Sequence, residues 1–138
     1  MFNARNTSSG IRYAKAKVNN VNGVILLPDD RNTSYSSLSN TNSSGANFSS
    51  NTISSTQWTT LEGHGAVFLP AAGIRSGTSV IRFGTSVSTV GSYGYYWSAS
   101  YRNSSYAWLV SFGGTNLSTD SSYYRGYGRS VRLVRFLQ

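Results

Sequence analysis

Apolar residues in this chain come in short bursts, each shut off by a turn former. Val24, Ile25, Leu26 and Leu27 end at Pro28, Ala66, Val67, Phe68 and Leu69 end at Pro70, and residues 107–112 run into Gly113-Gly114. An amphipathic helix needs apolar positions recurring every three or four residues over a longer stretch, and these bursts stop first. They read as buried strands. One segment breaks the pattern. Ser54 and Gln57 have capping-box spacing, in which the serine hydroxyl caps the first turn and the glutamine reaches back. The spacing predicts a short helix through Trp58, Leu61 and Glu62 that stops at Gly63, with Trp58 and Leu61 on its buried side.

Residues 11–18 alternate loosely and form a candidate strand. Asn19-Asn20-Val21-Asn22-Gly23 is a turn signal whose strongest element is Asn22-Gly23, so a hairpin to the 24–27 burst is predicted. Residues 29–51 are almost wholly Ser, Asn, Thr and Asp, with Tyr35, Leu38 and Phe48 as isolated anchors, and read as a long surface loop. Gly77-Thr78-Ser79-Val80 recurs as Gly84-Thr85-Ser86-Val87, too short a duplication for a repeat fold, and reads as a lengthened loop. The last third supplies strands at 95–98, 107–112 and 130–135, and a short returning strand at 115–119 before a loop at 120–128. Tyr106, Trp108, Val110 and Phe112 alternate onto one face of the second. The expectation is an α+β domain of mostly antiparallel strands, long loops and one or two short helices.

The chain of 138 residues fits one domain spanning 1–138. It contains no cysteine, which excludes disulfides, thiolate chemistry and cysteine-based zinc sites. No window approaches a membrane span, so no membrane insertion is expected. The formal net charge is +8, yet the basic residues are scattered except for Arg125, Arg129, Arg132 and Arg135. A basic balance attracts polyanions at long range.

Between the final strands lie segments built from Tyr, Ser, Gly, Asn, Thr and Arg. Tyrosine supplies contact area at small entropic cost, and the small polar residues supply adaptable hydrogen bonds. The candidate ligand-binding residues are Tyr101, Arg102, Asn103, Ser105, Tyr106, Trp108, Ser121, Ser122, Tyr123, Tyr124, Arg125 and Tyr127. Trp108 and Tyr106 lie within a strand and are equally readable as core, whereas Tyr95, Tyr96 and Trp97 read as framework.

Three stretches carry a resemblance. Residues 66–75 (AVFLPAAGIR), 90–98 (VGSYGYYWS) and 128–135 (GRSVRLVR), preceded by 21–30 (VNGVILLPDD), resemble the C-type-lectin-like modules of gut-bacterial surface proteins. These include the major paralogous domain proteins and the variable proteins of diversity-generating retroelements. The resemblance runs from about Arg12 onward. It implies a C-type-lectin-like fold of the formylglycine-generating-enzyme type, in which the first strand pairs with the last and variable segments form an exposed ligand-binding face. The chain departs from that pattern in lacking a part upstream of Phe2, in the 77–87 duplication and in Ile74, where an aromatic is common.

The only carboxylates are Asp29, Asp30, Glu62 and Asp120, and His64 is the only histidine. Asp29-Asp30 reads as a turn pair rather than an acid–base dyad, and His64 as a turn residue. Neither a nucleophile elbow nor a calcium-type cluster of carboxylates is present in the sequence. The expected function is therefore non-enzymatic recognition of an external protein or glycan, without cofactor or metal. The expected setting is an adhesin or retroelement-diversified receptor-binding protein at a cell surface or on a phage tail. The alternative is a basic aromatic surface on which Tyr123, Tyr124 and Tyr127 stack bases while Arg125 and Arg129 contact phosphates.

Overall fold

A computed structural model describes residues 12–28, 37–74 and 89–133. The 77–87 duplication, Tyr35, Asp29 and Asp30 lie outside the described residues, as do residues 134–135 of the expected closing strand.

The first two strands, β1 (Tyr13–Val18) and β2 (Val21–Leu26), form the expected hairpin. Its turn is Asn19-Asn20, not Asn22-Gly23. Both asparagines take positive φ, 47° and 68°, as a two-residue hairpin turn whose twist matches its strands requires. Gly23 lies inside β2 because a Cβ there would strike the Phe68 ring and the Leu69 carbonyl. The glycine marks a close approach between strands, a role that mimics a turn signal when read without the partner.

Residues 37–51 wrap beside this hairpin and are not all surface. Phe48 opens a 3-10 turn (Phe48–Ser50) and is buried, and Asn51 is buried with its side chain donating to the Lys15 and Ser39 carbonyls. A two-residue strand, β3 (Thr52–Ile53), then pairs parallel with β1. The capping box forms as the spacing predicts. Ser54 Oγ accepts from Gln57 N, Gln57 Oε1 accepts from Ser54 N, and α1 (Ser55–Gly63) follows with Leu61 buried. Strand β4 (Val67–Pro70) pairs with β2 at the sheet edge, where a proline is tolerated. The first sheet therefore runs β3-β1-β2-β4.

The second sheet is the meander β5 (Gly94–Tyr101), β6 (Tyr106–Phe112) and β7 (Leu117–Tyr124). Residues 120–124 are thus strand rather than loop: cross-strand pairing with β6 outweighs a Ser-rich composition that favours turns. Ser130 makes a single parallel bridge to Tyr96, and residues 131–133 carry no strand pairing. The expected pairing of first and last strands is also absent among the described residues, because β1 is flanked by β2 and β3.

The first sheet is buried on both faces. Ala16, Val18, Ile25 and Ile53 pack with Leu61 of α1, alongside Trp58 and Phe68. On the opposite side Val24 and Leu69 pack with Phe48 and with Tyr96 and Phe112 of the second sheet. The layers are helix, sheet, sheet. Among the described residues strand accounts for 45% and helix for 12%, with a single α-helix, so this is a mostly-β architecture. The expectation of an α+β, C-type-lectin-like fold is corrected accordingly: strands took residues that composition had assigned to loops.

Candidate functional site

The second sheet has a packed end and a far end. Tyr96, Val110, Phe112 and Leu117 belong to the inner core, and Tyr96 Oη donates to the Pro70 carbonyl at 2.8 Å. Gly94 is required at this end because the Phe112 ring occupies the space a Cβ would need. The antiparallel register carries the opposite end of each strand away from that core, so Tyr101, Tyr106 and Tyr124 meet at one edge.

The two faces of the far end differ. On the face continuing from the core, Tyr106 and Tyr124 are direct cross-strand partners with ring centroids 4.4 Å apart. Hydrogen bonding to Tyr124 raises the Tyr106 pKa. Next to them, Arg102 lies over the Trp108 ring at 5.3 Å and donates from Nη1 to Ser122 Oγ at 2.8 Å. Trp108 is therefore half-buried under a cation rather than sunk in the core.

On the opposite face the Arg129 guanidinium sits among four rings. Its carbon is 4.4 Å from the Tyr123 centroid, 4.5 Å from Tyr95, 5.6 Å from Tyr127 and 5.9 Å from Trp97. Two of its nitrogens, Nε and Nη1, are buried without a hydrogen-bond partner. Burial lowers its pKa, and the surrounding Tyr123, Tyr95 and Tyr127 act the other way. Ring quadrupoles hold this cation in place of a carboxylate.

Most of the predicted site residues converge on this end. Tyr101 is 72% exposed, and Tyr123, Tyr124 and Tyr127 are also exposed. Three of the predicted residues serve the scaffold. Asn103 Oδ1 accepts from the backbone N–H groups of Ser105 and Tyr106, which shapes the β5–β6 turn. The Ser105 carbonyl accepts from Arg125 N. The Ser121 hydroxyl bonds Ser111 and Ser118 beside a register shift in the β6–β7 ladder. Three participants escaped the sequence reading in their present roles. Tyr95 and Trp97 read as framework but wall the Arg129 site, and Arg129 reads as a phosphate contact but is engaged by rings. Its position two residues after Tyr127 was the available signal.

Elsewhere, the fully buried Lys15 donates to the carbonyls of Ser44 at 2.6 Å and Gly113 at 2.8 Å. Burial lowers its pKa to about 8, and its two hydrogen bonds join β1 to the 37–51 segment and to the end of the second sheet. His64 Nδ1 lies 2.7 Å from the Thr60 carbonyl at the helix end. Asp120 accepts from Ser118. Among the described residues no group of three or more His, Cys, Asp or Glu side chains gathers to hold a metal, and no helix is long and apolar enough to cross a membrane.

Fold and site together define a mostly-β domain with an aromatic, basic end projecting from its second sheet. Residues 37–134 match the profile of a domain of unknown function, DUF8237, and the chain belongs to that family. The match includes the whole second sheet and Arg129. No curated protein and no solved structure matches the chain.

Proposed function

We infer that this domain is a non-enzymatic recognition module that binds an external protein or glycan through the far end of its second sheet. The observation that carries this reading is the exposure of tyrosines on a rigid mount. Tyr101, Tyr123, Tyr124 and Tyr127 stand exposed at one end of strands whose other end is anchored in the core. Exposed aromatics with arginine on a preorganised support are the composition of binding hot spots. Display at a cell surface or on a phage tail, and diversification of this end by a retroelement, belong to the same reading. Nucleic acid has less support, because Arg129 is committed to the tyrosines that would stack bases.

The test is a printed array of glycans and surface proteins probed with the wild type and with Tyr124→Ser/Tyr127→Ser. The wild type should retain a ligand, and the double variant should bind it at least about tenfold more weakly with little change in melting temperature. Absence of any micromolar ligand, or unchanged binding by the variant, overturns the reading.

A further inference from the structure

Strand β5 does not follow β6 evenly. Trp97 pairs with Leu109 and Tyr101 with Ala107, so β5 spends four residues where β6 spends two. The residues between, Ser98, Ala99 and Ser100, have no ladder partner on β6. They are not slack. Ser98 Oγ accepts from Ser100 N and donates to Ser100 O, both at 3.1 Å, so the bulge holds its own shape. Bulges of this kind re-aim side chains and cluster at functional sites.

The bulge opens a cavity of about 330 Å³. Trp97 and Tyr101 line it as its aromatic residues, together with Ala107 and Arg125. Arg125 donates through its backbone N–H to the Ser105 carbonyl, and among the described residues its guanidinium has no hydrogen-bond or carboxylate partner. A second cation, Arg129, lies on the Trp97 ring at 5.9 Å. Among the described residues no carboxylate lines the cavity. Of the described ones, Glu62 is on α1 and Asp120 is bonded to Ser118.

We propose that this cavity is a subsite for an acidic saccharide unit, one bearing a carboxylate or sulfate. The chemistry follows the lining. Sugar C–H faces pack on aromatic rings, hydroxyls meet the serine and bulge backbone groups, and a planar guanidinium binds an oxyanion in a two-point fork. The net charge of +8 draws an anionic chain toward the surface before contact. This rests on the recognition reading above and names the ligand class for one part of it.

The experiment is titration calorimetry on the full chain at about 0.15 M salt, a concentration that screens charges beyond roughly 8 Å. The probes are an oligogalacturonate, a sulfated oligosaccharide, a neutral oligosaccharide of similar length and a single-stranded oligonucleotide. The first two separate carboxylate from sulfate. Arg125→Gln and Tyr101→Ala should each weaken binding of the acidic saccharide at least about tenfold. Their unfolding midpoints should stay near that of the wild type. The inference is overturned if neither acidic saccharide binds, if Arg125→Gln binds as the wild type does, or if the oligonucleotide binds more tightly than both. Binding of a neutral saccharide alone removes the acidic subsite and leaves the recognition reading standing, whereas an empty array result removes both.

Discussion

Stability of this protein should increase between pH 7.5 and pH 9.5, because of Lys15. The native side chain is fully buried, bonded to two carbonyls and 5.9 Å from the centre of the Phe48 ring. Burial brings its pKa from 10.5 to about 8. The native state therefore releases this proton while the unfolded chain still holds it. Where the unfolded state binds more protons, stability rises with pH. Each pKa unit is worth about 1.4 kcal/mol, so the gap sets an upper limit of about 3 kcal/mol, and solvent screening of a partly relaxed site reduces it. Buried tyrosines act in the opposite sense. Burial raises the pKa values of Tyr13, Tyr95 and Tyr96, so the native state keeps those protons above pH 10 and loses stability there. The net expectation is a gain of about 1–2 kcal/mol from pH 7.5 to 9.5, then a decline. Urea unfolding at fixed ionic strength measures it, with Lys15→Met as the control. The variant should lack this gain over the same range, because every other titrating group is shared. A wild type that is flat or falling from pH 7.5 to 9.5, or a variant with the same slope, would refute the burial argument.

Two further outcomes test the packing. Gly94→Ala should destabilise the domain by about 2–4 kcal/mol in urea unfolding, since the new Cβ meets the Phe112 ring on which the two sheets close. Arg129→Ala should cost about 1–2 kcal/mol through lost ring contacts, and Arg129→Met clearly less, because its chain keeps part of the packing among the rings while, like alanine, removing two buried nitrogens that lack partners. Equal losses in the two Arg129 variants would mean that the positive charge, not the packing, holds the four rings.

Local features were legible where local rules decide them. The capping box at Ser54 and Gln57, the helix it starts and the three apolar strands lie where spacing put them. Tyr101, Tyr123, Tyr124 and Tyr127 are exposed as expected of tyrosines dense in a polar stretch. The failures share one cause. Gly23 looked like a turn because nothing in the chain nearby announces the Phe68 ring above it. Residues 120–124 looked like a loop because serine-rich segments become strands only when a neighbouring strand supplies the ladder. Lys15 looked like one more scattered cation.

What the amino-acid order alone determined here is the set of short strands, the one helix and the aromatic, basic character of the last third. Those depend on contacts within a few residues of one another. The tertiary structure decided which asparagine pair turns the hairpin, that two sheets stack with Lys15 bonded between them, and that the β5 bulge leaves Trp97 and Tyr101 as cavity walls. It also decided that Arg129 rests among four rings rather than facing a ligand. Each of these is set by partners distant in the chain, and a desolvated cation or a displaced ladder gains its meaning only from them.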